Sequence, residues 1–177
     1  MARLAVIPPE RMSPEQHKVY EESVALGTPD GTSGGPYTAY IRNPKYMRLH
    51  RSVAIYLRNN SLPGRLRQML VLRTVKHWGA KYPWVVQVRA SLKEGLEQSI
   101  IDAIDKGQTP ALTSPQDMAA FEFCRELLET KQVSDATYKR AVELFGEAGV
   151  VDIVATIGSF TTTSLTANSF YIAPPKE

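Results

Sequence analysis

A chain of 177 residues with 43% apolar and 22% charged residues has the make-up of one globular domain, 1–177, whose core needs neither disulfides nor metal. Its single cysteine, Cys124, excludes an intrachain disulfide, and no Cys/His cluster has zinc-ligand spacing. No run of about 18 apolar residues is present to span a membrane, and the opening MARLAVIPPERMSPEQ lacks the apolar core of a signal peptide, so a cytoplasmic location is expected.

Helix signals then follow one another along the chain. Ser13-Pro14-Glu15-Gln16 reads as an N-cap, a first-turn proline and a Gln closing the capping box, opening a helix to about Val24. The segment GTPDGTSGGP, residues 27–36, is a loop with four glycines. Pro44 opens a helix to about Leu57, and Asn59-Asn60-Ser61-Leu62-Pro63 breaks it. From Pro63 the run RLRQMLVLRTVKHWGA places Leu66, Met69, Leu70, Leu72 and Val75 on one broad face, as a core helix requires. Gly79 ends it. Pro83 is tolerated only near the start of the next helix, which reaches about Glu94 before Gly95. Further helices are expected from about Gln98 to Asp105, from Ser114-Pro115 to about Lys131, after Ser134, and from about Val150 to Phe170. No alternating strand pattern recurs. The expected fold is all-α, a bundle of seven to nine helices.

The charge of +3 is unevenly spread. Between Asp30 and Glu94 there is no acidic residue, against twelve Lys/Arg. Either this stretch meets an anionic ligand or acidic surface, or the C-terminal half neutralises it. No helix-turn-helix signature and no aromatic–basic interleaving is present, so a nucleic-acid partner is not expected.

Three segments carry a family resemblance: LAVIPPERMSPEQHKVYE, the long run GGPYTAYIRNPKYMRLHRSVAIYLRNNSLPGRLRQMLVLRTVKHWGAKY, and LTANSFYIAPP. Within the helix pair Leu62–Leu96 its markers are Leu72-Arg73-Thr74, Trp78-Gly79-Ala80, Tyr82, Trp84, Val88-Arg89 and Gly95-Leu96. They resemble the carboxymuconolactone decarboxylase-like family and, more distantly, its alkylhydroperoxidase relatives. The resemblance implies an all-α fold that completes its core by assembling into homotrimers or hexamers, and a cofactor-free site for a small molecule. In the thiol peroxidase branch two cysteines stand where Ala80 and Pro83 are found here. Without a thiolate there is no sulfur nucleophile and no dithiol cycle, and Cys124 reads as a small core residue. In the thiol-free branch a Glu is expected at Gln68, a second Glu at Pro83 and a His at Gln87. Amides do not titrate near neutral pH and proline carries no side-chain proton. The relay is absent while its helical frame is kept, as in a divergent member, an inactive relative or an engineered variant.

The resemblance and the residue chemistry together name the candidates. Gln68, Gln87, Tyr82 and His77 are the candidate catalytic residues. Pro83, Trp84, Arg73 and Tyr37 are the candidate substrate-binding residues. Gln68 and Gln87 can donate to a carbonyl or enolate oxygen, or be amides satisfied between packed helices. Trp84 and Tyr82 can wall a site or belong to the core. His77 can act as a base or be structural. Arg73 can fork a substrate carboxylate or bridge to an acid of the C-terminal half. Tyr37, with Tyr40, can rim the site. His17 and His50 have no motif support and read as surface. The functional expectation is a cofactor-independent lyase or isomerase acting on a small carbonyl or carboxylate compound. The alternative is a non-catalytic ligand-binding or structural oligomer.

Overall fold

The structure is a computed structural model that describes residues 2–25 and 34–175. Among the described residues it contains helices and no strand. A 3₁₀ turn at Pro9–Arg11 precedes α1 (Pro14–Ala25), α2 (Tyr37–Tyr40), α3 (Pro44–Arg58), α4 (Gly64–His77), α5 (Lys81–Lys93), α6 (Gln98–Asp105), α7 (Pro115–Thr130) and α8 (Asp135–Ser169). The expected all-α bundle is borne out. Most of the glycine-rich loop expected at 27–36 lies outside the described residues.

The helix starts follow from their caps. The Ser13 hydroxyl accepts from the Gln16 backbone N–H at 3.3 Å, and the Gln16 carbonyl oxygen accepts from the Ser13 N–H at 3.0 Å, a reciprocal box. Asn43, Ser114 and Ser134 each accept from the backbone N–H three residues on, opening α3, α7 and α8. At Gly146, φ 68° and ψ 169° break α8 into two runs. That region of backbone space is open essentially only to glycine.

α4 is the centre of the bundle. It packs against α5, α6, α7 and α8, and all five apolar residues expected to face the core are buried, joined by Val71. Burying each such leucine contributes about 1.5–3 kcal/mol. α4 and α5 lie antiparallel and close. At Gly64, in the first turn of α4, a Cβ would stand 1.9 Å from a carboxylate oxygen of Glu94 just past the end of α5.

Ion pairs decide what the basic stretch does. Arg48 pairs with Glu22 at 2.9 Å, Arg65 with Glu97 at 2.8 Å and Asp117 at 2.6 Å, and Lys76 with Asp105 at 2.7 Å. Arg73 pairs with Glu129. These acids lie before or after the basic stretch in sequence, so folding itself supplies much of its neutralisation.

Exposed apolar residues are most numerous on α3 and α8. Leu49, Val53 and Tyr56 follow one another at helical spacing on α3, and Val151 and Val154 lie on α8; all are exposed. The Tyr56 hydroxyl donates to Asp152 at 2.5 Å, bridging the two helices.

Candidate active site on the α4–α5 pair

The antiparallel α4–α5 pair brings Gln68 opposite the second half of α5. The Ser91 hydroxyl, fully buried, donates to the Gln68 side-chain oxygen at 3.4 Å. That bond uses the amide oxygen and leaves its NH2 group to donate elsewhere. Gln87 precedes Ser91 by four residues, one helical turn, so both lie on the same side of α5. Gln68 and Gln87 are half-buried. Gln68 and Ser91 are in contact and Gln87 shares the Ser91 side of α5; none of the three carries a group that ionises near neutral pH.

Ala80 caps α5 and Pro83 stands in its first turn, the two positions at which the resemblance expects thiols in its peroxidase branch. Ala80 and Pro83 are both buried. Pro83 sits in that turn, where its missing N–H costs nothing. Trp84 packs half-buried against the cluster of Val71, Val75 and Ala80, as does Phe160, with the Lys76 ammonium 5.3 Å from the Trp84 ring centroid. Tyr82 lies against Gly35, where a Cβ would fall 2.2 Å from the ring, so the tyrosine occupies space that only glycine leaves.

His77 and Arg73 are not brought to this cluster. His77 follows Gln68 by nine residues, two and a half turns, which turns it to the opposite face of α4. There burial, then the charges of Lys131 and Arg73, lowers its pKa and keeps the imidazole neutral. Arg73 binds Glu129 on α7 beside a cleft of about 90 Å³, also lined by Ile104, Gln108, Thr109, Phe121 and Arg125. Both Arg73 and Arg125 meet carboxylates there, Arg125 reaching Glu129 at 2.9 Å and Glu122 at 2.5 Å. Tyr37 belongs to α2, edge-on to Tyr40 and His50 at centroid separations of 5.7 and 6.1 Å.

Two features escaped the sequence reading. Ser91 was within reach of it, being one turn beyond Gln87. His50, read as surface, has both ring nitrogens buried; only tertiary packing of α2 on α3 discloses that. His17 is indeed exposed, 3.4 Å from Glu21. Cys124 is fully buried beside the Thr74 hydroxyl at 3.8 Å, and burial pushes its thiol up to about 12.

No family model and no curated protein sequence matches the chain. Solved structures do. An uncharacterised peroxidase-related protein from Ralstonia eutropha, described as an alkylhydroperoxidase AhpD core, superposes with a TM-score of 0.80 over 99% of this chain and 93% of its own, at 16% identity. A peroxidase-related protein from a Silicibacter species gives 0.76 over 98% and 92%, at 14% identity. A debrominase solved in complex with 2,3,4-tribromopyrrole gives 0.75 over 97% and 91%, at 13% identity. The fold is therefore that of the AhpD-like proteins, as the sequence resemblance implied, and enzymes occur among its neighbours.

Proposed function

We propose that the protein is an enzyme of the lyase or isomerase type, acting without a thiol on a small carbonyl or carboxylate compound. The observation that carries the reading is the Ser91–Gln68 hydrogen bond across α4 and α5. The bond engages the Gln68 side-chain oxygen from Ser91, which lies one turn of α5 from Gln87, and leaves the Gln68 NH2 group to donate to a ligand in this reading. Two preorganised neutral donors polarise a carbonyl and stabilise the oxyanion of an enolate, which is the charge that develops in decarboxylation or in proton transfer at an enolisable carbon. Tyr82 and Trp84, in the first turn of the same helix, are the aromatic walls in this reading. The proton itself comes from water or from a tyrosine, because His77 faces the other side of α4.

Self-association belongs to the same reading. The exposed Leu49, Val53, Tyr56, Val151 and Val154 support a homotrimer or a hexamer built from two trimers, in which these faces of α3 and α8 are covered.

The test is turnover. Purified protein is offered lactones, β-keto acids and related carbonyl compounds, with Gln68→Leu and Gln87→Leu beside it. The reading predicts turnover that each leucine variant lowers by about 10²-fold, the usual cost of removing one oxyanion donor. Saturable binding without turnover, equal in the wild type and both variants, would replace the enzyme with a ligand-binding oligomer.

A further inference from the structure

A second cluster lies on α2 and α3 and does not depend on the α4–α5 reading. The His50 imidazole is surrounded by three phenol rings: Tyr40 at a centroid distance of 4.4 Å, Tyr46 at 5.9 Å and Tyr37 at 6.1 Å. Tyr40 is buried and Tyr37 half-buried, whereas Tyr46, one turn before His50 on α3, stands at the surface. Among the described residues, neither buried His50 nitrogen has a hydrogen-bond partner. An imidazole always carries at least one N–H donor and, when neutral, one acceptor nitrogen. Leaving such groups dry and unmatched costs about 1–3 kcal/mol each. Such a group in a folded protein points to a water, an ion or a ligand that completes it.

We propose that His50, walled by Tyr37, Tyr40 and Tyr46, is a binding site for a small aromatic hydroxyl compound of the phenol class. The chemistry selects the ligand. Burial first, then the neighbouring Arg51 charge, lowers the His50 pKa, so at neutral pH the site presents a neutral ring with a basic nitrogen that needs a proton donor. A phenolic O–H supplies one. A simple carboxylate, ionised at neutral pH, does not. A divalent cation lacks ligands, since no group of three His, Cys, Asp or Glu gathers among the described residues. The ring of a phenol repeats the edge-on contacts that the tyrosines already make with one another, Tyr40 to Tyr46 at 5.3 Å among them. Tyr40 is held in place by its hydroxyl bond to Thr166 of α8 at 3.3 Å, which fixes the inner wall. The titratable and charged groups around His50 are the three tyrosines and Arg51, whose guanidinium lies 5.8 Å from the Tyr37 centroid.

The experiment titrates the intact protein at pH 7 with phenol, and in parallel with anisole, which keeps the ring and loses the donor. His50 ring resonances report the contact. The proposal predicts a saturable shift of those resonances with phenol and binding of anisole weaker by about tenfold, the equivalent of one hydrogen bond. His50→Phe fills the space without polar atoms and should fold at least as well, since removing an unmatched buried polar group is neutral or stabilising; its preference for phenol over anisole should vanish. His50→Gln, which keeps an acceptor, should retain part of it. Equal affinity for phenol and anisole, an unsaturable response, or an unchanged preference in His50→Phe each overturns the proposal. Should both variants fail to fold, the wild-type comparison of phenol with anisole decides alone.

Discussion

Asp152→Asn isolates one buried carboxylate that ties three elements. Asp152 sits on α8, nearly inaccessible to water. One oxygen accepts from the Tyr56 hydroxyl at 2.5 Å; the other accepts from the Ser61 N–H at 3.0 Å and the Ser61 hydroxyl at 2.6 Å. It thereby holds the end of α3 and the α3–α4 link to α8. Asparagine keeps the shape, with its oxygen on the two Ser61 donors and its NH2 group donating to the Tyr56 hydroxyl, which can accept. All the bonds then lose their charge assistance, since the carboxylate is gone. The expected loss is about 1–2 kcal/mol at pH 7, or roughly 2–8 °C in Tm for a chain of this size. The pH dependence has a definite sign. Burial raises the Asp152 pKa, but the bonds from Ser61 and Tyr56 outweigh it, so the folded value lies below the ordinary 3.8. Stability from a depressed carboxylate is fully present above 3.8 and is lost as pH falls through the folded value. Urea titrations of both proteins at equal concentration, from pH 7 to below 3.8, measure the gap. A variant as stable as wild type at pH 7, or a gap that does not narrow under acid, refutes the reasoning.

Thiol reagents should leave native Cys124 unmodified for hours and function intact, because its thiolate is both buried and disfavoured; rapid native-state alkylation followed by mass spectrometry would show otherwise. Gly35→Ala should destabilise by about 2 kcal/mol or more, since φ is +61° and the new Cβ would press into the Tyr82 ring; a denaturation midpoint unchanged from wild type contradicts that packing. Restoring titrating groups by Gln68→Glu, Pro83→Glu and Gln87→His should give activity a pH dependence between about pH 5 and 8 that these positions now lack, read from pH–rate profiles of the variant and the parent. If the parent is the faster catalyst, the amides themselves perform the chemistry.

The frame of the bundle was legible because local chemistry decides it. Capping residues at Ser13, Ser114 and Ser134 and the stops at Gly79 and Gly95 located helix ends, and α6 has the bounds expected, Gln98 to Asp105. The apolar period of α4 marked the central helix. The site was legible only in part. The facing of α4 and α5 follows from their short link, but nothing local told whether Arg73 served a ligand or Glu129, which is 56 residues away. His77 was separable from Gln68 by helical phase alone, a signal present in the sequence and overridden by its chemistry. The four-residue α2 lacks an amphipathic period, so neither it nor the enclosure of His50 could be anticipated.

The most direct measurement is a crystal structure of the protein soaked with a β-keto acid analogue that cannot lose CO2. The account predicts the ligand's carbonyl oxygen about 3 Å from the side-chain nitrogens of Gln68 and Gln87, with its chain against Tyr82 and Trp84. A ligand held instead by Arg73 and Arg125 in the α4–α7 cleft, with Gln68 and Gln87 untouched, would contradict it.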